Sequence, residues 1–211
     1  MSGQSGLSPV REFDHLTSTD ATDVQHETFM SISSRSVSIL SRLQRAVLVL
    51  YYRGILKSVG KRFRIGEGSR IITPGMLSIG HDCFFGPRFY LSSPEEVRIG
   101  NNVMFGPEVM ILGGDHDFAT LGVPMRFSPN VGRSGPIIIE DDVWVGARCL
   151  LIKGVRLGTG SVIGAGSVVT HSLPPFSVAA GNPCRVIRTR FSEAEIIEHR
   201  RALDLWRLHN E

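Results

Sequence analysis

Gly113-Gly114-Asp115-His116 is the stretch of this chain best suited to chemistry. The two glycines remove side chains where a ligand would need to approach the backbone, and the histidine follows at the mouth of a long loop. A neutral imidazole near its ordinary pKa accepts a proton at physiological pH, so His116 reads as a general base. The competing reading is a tight turn whose Asp115 and His116 merely face solvent, and the loop beyond favours the base. A catalytic zinc needs three protein ligands. His81 and His116 could supply two, but position 121 is Leu121 and the next histidine is His171, so no metal is expected. No serine lies in a Gly-x-Ser-x-Gly elbow, and Ser167 falls at a repeat position, so a nucleophilic hydrolase is not expected. Cys83, Cys149 and Cys184 are widely spaced without a CxxC pair, which suits a reducing compartment. Cys83 and Cys149 read as small core residues.

The elements that must position His116 repeat every six residues. Ile139, Val145, Leu151, Leu157, Ile163 and Val169 form an unbroken series, and small or β-branched residues (Val143, Cys149, Val155, Ser161, Ser167) follow four positions after its members. A helix repeats at 3.6 residues and a strand at 2, so this period fits neither. It fits a column whose coils have three short faces, the parallel β-helix. Ile65, Ile71 and Leu77 share one phase; Ile79, Phe85 and Leu91 follow after a two-residue slip. Ile99, Phe105 and Ile111 resume beyond an outward bulge at Ser92, Ser93 and Pro94. About sixteen hexads make about five coils. A break over 117–136 carries Gly122, Pro124, Pro129, Gly132 and Gly135. A loop of that length in a compact domain is usually functional. The expected fold is all-β, a parallel β-helix over 63–190 with helices at both ends and one long protruding loop.

Composition agrees. Of 211 residues 42% are hydrophobic and only 8% aromatic, which suits a narrow aliphatic column. A net charge of +3 is too small to imply nucleic acid. Residues 1–35 read as a mobile lead-in. Residues 36–62 read as a basic amphipathic helix, with Leu40, Leu43, Val47 and Leu50 at helical spacing. No acidic residue occurs between Glu27 and Glu67, whereas Arg35, Arg42, Arg45, Arg53, Lys57, Lys61, Arg62 and Arg64 do. Such a segment can lie on an anionic membrane surface; packing across the base of the column, with its charges solvated, is the favoured alternative. A final helix over 191–211 opens on a Ser192/Glu195 capping box, with Ile196, Leu203 and Trp206 as packing residues. The apolar run Ala46 to Tyr52 is too short to span a bilayer, and residues 1–14 carry no secretory pattern. A cytoplasmic protein is expected, touching at most the inner face of the membrane.

Three stretches carry a family resemblance. Ile139-Glu140-Asp141-Asp142-Val143-Trp144-Val145-Gly146-Ala147 looks like the coil that opens the CoA half of hexapeptide-repeat acetyltransferases. Ile163-Gly164-Ala165-Gly166-Ser167-Val168-Val169-Thr170 is similar to a later coil, and Ala179-Ala180-Gly181-Asn182-Pro183-Cys184-Arg185-Val186-Ile187-Arg188 to the closing segment. The resemblance covers about 65–190 and includes galactoside, maltose, serine and xenobiotic acetyltransferases. It implies a left-handed column, a homotrimer with sites between adjacent columns, and acetyl-CoA as acyl donor. His116 matches the family's catalytic histidine, acting on the acceptor in direct transfer. Ala147 and Ala165 match backbones that bond the pantetheine arm; Thr170 and His171 follow on its path, and Arg185 and Arg188 match cations for the nucleotide phosphates. Trp144 is open to three readings, between subunits, against CoA, or a simple packing role. Where galactoside and maltose enzymes carry an Asn and an Asp that hold the sugar, this chain has Gly86 and Pro94. The remaining features resemble bacterial O-acetyltransferases of surface polysaccharide and lipopolysaccharide synthesis. Alternatives are N-acetylation of an amino sugar nucleotide or antibiotic, and a non-catalytic assembly or metal-binding module.

Overall fold

The structure, a computed structural model, describes residues 39–128 and 135–210. The lead-in over 1–35 and the loop residues 129–134 lie outside the described residues. The chain divides into two compact units, Met1–Arg42 and Leu43–Glu211, and the whole repeat belongs to the second.

Each hexad forms one short strand because one inward aliphatic per face is all a flat coil can bury. Three parallel ladders result. The first face stacks Ser58–Val59, Leu77–Ile79, Val97–Ile99, Ile137–Ile139 and Arg156–Leu157. The second stacks Arg64–Ile65, Phe84–Phe85, Met104–Phe105, Trp144–Val145, Val162–Ile163 and Ser177–Ala180, with Arg185–Thr189 added antiparallel. The third stacks Arg70–Ile71, Tyr90–Ser92, Met110–Leu112, Leu150–Ile152 and Val168–Val169. The faces thus carry five, six and five parallel strands, in agreement with the expected count of hexads, and Ser177–Ala180 closes the second face with the small Ala179 inward.

Register places like residues over like. Ile71, Leu91, Ile111, Leu151 and Val169 form one buried column and Ile79, Ile99, Ile139 and Leu157 another. In the middle coils the second face substitutes Phe85 and Phe105, whose rings pack edge to face at 4.9 Å. Both are fully buried, so truncating either to Ala would cost about 3–5 kcal/mol. Cys83 and Cys149 are buried core residues, as expected; burial pushes the Cys83 thiol up to about 11.

The first corner is held by a side-chain ladder. The Lys61 N–H donates to His81 Nδ1 (3.0 Å), the His81 N–H to Asn101 Oδ1 (2.8 Å), and the Asn101 N–H to Asp141 Oδ1 (2.7 Å). Each acceptor satisfies a corner amide that the strands leave unpaired. His81 is therefore explained by structure.

The first described helix, α1 (Ile39–Ile55), is shorter than the expected 36–62, and strand Ser58–Val59 already belongs to the column. Its orientation differs from the expectation. Its Tyr52 is buried in the core, as is Leu56 just beyond the helix, with Leu48 and Ile55 packed alongside, whereas Val47 and Leu50 are 64% and 66% exposed. The helix is apolar on two faces, and spacing alone does not say which one the column takes. The last helix, α2 (Glu193–Asn210), opens on the expected box: Ser192 N–H donates to Glu195 Oε2 at 2.8 Å and Glu195 N–H to Ser192 Oγ at 3.3 Å. Ile196 and Leu203 are half-buried, while Trp206 is exposed.

Candidate active site

The third face ends at Leu112, and the chain leaves the column there through Gly113 and Gly114. A Cβ on Gly113 would lie 2.0 Å from Ser93 Oγ of the coil before, so only glycine fits. Gly114 has φ +80 and faces Pro94, which puts Pro94 beside the turn that presents His116. Gly86, by contrast, stacks on Gly106 and Pro107 at a different corner. His116 is exposed, its backbone N–H donates to Asp115 Oδ1 at 3.0 Å, and among the described residues nothing hydrogen-bonds its imidazole. Beyond it, Asp117 organises the loop by accepting from the Ala119 N–H (2.8 Å), Ser128 Oγ (3.1 Å) and the Thr120 hydroxyl.

Thr170 and His171 leave the third face at the corresponding corner, two coils on, where Thr170 Oγ1 and His171 Nδ1 are 2.8 Å apart. Lys153 leaves it between them and forms an ion pair with Asp115. The Lys153 hydrogen bond, helped by the His116 N–H, holds the Asp115 carboxyl below its usual range. Sequence reasoning missed Lys153. The hexad phase, which aligns Ile111 with Leu151, does carry it to this corner.

Ala147 and Ala165 stand elsewhere, at the corner between the second and third faces. There the early coils place Pro87 and Pro107 after the corner glycine, and the late coils place Ala147, Ala165 and Gly181. Gly146 packs against Ala165, where a Cβ would lie 2.6 Å from its nitrogen. Among the described residues neither the Ala147 nor the Ala165 N–H has an acceptor, while the Ala147 carbonyl accepts from Gly166 N–H at 2.8 Å. Proline has no N–H to offer. The late coils therefore present a strip of small residues, with open amides at Ala147 and Ala165 and the Gly181 N–H given to Ser167 Oγ (3.1 Å), where the early coils have Glu67, Pro87 and Pro107. Arg185 pairs in register with Ala180 at the end of this strip and Arg188 with Val178. Both are exposed, and among the described residues neither is matched by a carboxylate. Outside the strip, Arg88 and Arg148 flank Glu108, with Arg148 Nε to Glu108 Oε2 at 2.6 Å.

One column thus links His116 through Asp115 to Lys153, with Thr170 and His171 leaving the third face one coil beyond Lys153, and separately lines up Ala147 and Ala165 at the corner toward which the strand of Arg185 and Arg188 runs. Trp144 projects from the second face, in register with Met104 and Val162, and is 52% exposed. Among the described residues no cluster of three His, Cys, Asp or Glu could hold a metal. No described helix is long and apolar enough to cross a membrane.

Residues 136–171 match the family described as Hexapeptide repeat of succinyl-transferase. The galactoside O-acetyltransferase of Lactococcus lactis is 36% identical over 154 residues, covering 60% of this chain and 70% of that enzyme. The galactoside O-acetyltransferase of Escherichia coli is 36% identical over 133 residues, covering 59% of this chain. The match spans only 62% of the Escherichia coli enzyme, less than two thirds of its length. Among solved structures, a galactoside acetyltransferase in complex with coenzyme A superposes with a TM-score of 0.60 at 25% identity, covering 81% of this chain and 80% of that one. With its three stacked parallel ladders, the chain belongs to the hexapeptide-repeat acetyltransferases, left-handed parallel β-helix proteins that take acetyl-CoA as acyl donor.

Proposed function

We propose that this chain is an acetyl-CoA-dependent O-acetyltransferase that acts on a sugar hydroxyl by direct transfer, with His116 as general base. The observation that carries the proposal is the pairing of an open imidazole at a loop mouth with a separate strip of open amides at Ala147 and Ala165. A strip that offers N–H donors over small side chains suits the amide-rich pantetheine arm. Arg185 and Arg188 at its end suit the nucleotide phosphates, since a planar guanidinium donates two parallel bonds. Thr170 and His171, which leave the third face at the same corner as the His116 loop, suit the acyl end of the donor. In the transfer, the acceptor hydroxyl gives its proton to the His116 imidazole as its oxygen attacks the thioester carbonyl. The carbon–sulfur bond then breaks, and the CoA thiolate takes the proton back from the imidazolium. No covalent enzyme intermediate is needed, which agrees with the sequence having no serine in a Gly-x-Ser-x-Gly elbow.

His116 and the strip occupy different corners of one column, so donor and base meet when a neighbouring column supplies the strip. A homotrimer does this by bringing the loop corner of one subunit against the amide corner of the next. The outward apolar ladder Phe84, Met104 and Trp144, 40%, 49% and 52% exposed, gives the second face a surface suited to such packing.

The galactoside O-acetyltransferase relatives support a sugar as acceptor. Gly86 and Pro94 carry no side chain that can donate or accept, which argues against a simple galactoside or maltose, and the resemblance to bacterial surface-polysaccharide and lipopolysaccharide O-acetyltransferases supports a glycan of that synthesis. Acetyl-CoA as donor supports a cytoplasmic site of action, and the exposed apolar side of α1 with its basic neighbours is suited to the inner membrane surface. The test is an acceptor panel of methyl glycosides against amino sugars with acetyl-CoA. A base-labile acetyl ester is the expected product; an alkali-stable amide alone would replace O-transfer with N-transfer.

A further inference from the structure

The corner that presents His116 holds a cation that the transfer chemistry leaves unused. Lys153 follows Ile152, which pairs in register with Leu112, the last strand residue before the Gly113-Gly114 exit. Its ammonium is ion-paired with Asp115 Oδ2, and the other oxygen of that carboxylate accepts the backbone N–H of His116 at 3.0 Å. One carboxylate therefore ties the backbone of His116 to the wall of the next coil.

The Gly113 N–H still donates to the Ser92 carbonyl at 2.9 Å, but beyond it Gly114, at φ +80, has no side chain to hold the turn that leads to His116. On the far side the loop is anchored independently by Asp117 through Ala119, Thr120 and Ser128. His116 lies between two anchored aspartates, of which only Asp115 is fixed to the column. The Lys153 and Asp115 side chains are 35% and 38% exposed, so the pair adds little to global stability. What it determines is where one backbone amide, and the imidazole next to it, is held.

We propose that Lys153 is a positioning residue for His116, acting through Asp115. The proposal rests on His116 being the base, and its test separates the two. The protein is compared as wild type, Lys153→Met, Lys153→Arg, Asp115→Asn, the Lys153→Met/Asp115→Asn double variant and His116→Ala. Amide hydrogen exchange across 112–121 is measured without acceptor, CoA affinity by titration, and turnover with acetyl-CoA and the methyl glycosides.

The expected result is several-fold faster exchange in Lys153→Met and a kcat about ten- to a hundredfold lower, the size that a small misplacement of a catalytic group produces. CoA affinity should stay unchanged, Lys153→Arg should recover most of the loss, and the double variant should be no worse than either single one, since both remove one link. Unchanged exchange in Lys153→Met would overturn the proposal, as would a kcat within about twofold of wild type while His116→Ala is inactive. Full turnover by His116→Ala would instead overturn the base assignment, with faster exchange in Lys153→Met still upholding the tie itself.

Discussion

The imidazole of His116 and the amides of Ala147 and Ala165 owe their availability to opposite devices. His116 is carried out of the column by two glycines, one of which no other residue could replace against Ser93. The amides stay on the column and are open because the turn uses only the Ala147 carbonyl. Three early and three late coils share this corner geometry, and the change from Pro87 and Pro107 to Ala147 and Ala165 is what makes the late half suitable for a ligand rich in amides. Arg185 and Arg188 close that strip as cations without a carboxylate partner among the described residues. Charge-assisted hydrogen bonds contribute about 1.5–3 kcal/mol each, so an Arg185→Ala/Arg188→Ala variant should raise the KM for acetyl-CoA at least about tenfold. Acetyl-pantetheine, which lacks the nucleotide phosphates, should be used equally by variant and wild type. Equal losses with both donors would take the arginines out of phosphate binding.

Short strands joined by tight corners make stability a sum of levels, each fastened to the next. Glu96 shows how the N-terminal end is fastened. Arg98 and Lys57 hydrogen-bond its carboxylate and hold it down to about 2 from an ordinary 4.5. Because the folded value lies below the unfolded one, this contribution is complete above about pH 4.5 and is lost as the pH falls toward about 2. Melting temperature should therefore be flat above about pH 5 and fall below it, more shallowly in Glu96→Gln. An identical acid limb in that variant would remove Glu96 from the account. The hexads were legible in the sequence because each inward residue is set by its own coil, and Ile65 through Val169 all point inward. The capping box of α2 was legible for the same reason, since Ser192 and Glu195 are three residues apart. The packing face of α1 was not, because Leu48 and Tyr52 on one side compete with Val47 and Leu50 on the other. At the site, His116 was visible through its glycines and loop. Lys153 was not, because its partner Asp115 lies 38 residues away and the pair exists only once Leu151 stacks on Ile111.

On the proposed function, the division of the site between two corners makes its completion a property of the assembly. Introducing Glu at both Met104 and Trp144, adjacent on the exposed second-face ladder, should give a monomer in sedimentation and reduce transfer at least about a hundredfold, because no neighbouring strip then reaches His116. A monomer that keeps full activity would refute the shared site. The central claim, acetyl transfer from CoA with His116 as base, is tested most directly by CoA-thiol release from acetyl-CoA in the presence of glycoside acceptors, comparing wild type with His116→Ala. Acceptor-dependent release by the wild type is expected, falling by about 10²–10⁴ in the variant while CoA affinity is unchanged. Release that the variant sustains at the wild-type rate, or a wild type that fails to bind CoA, would contradict it.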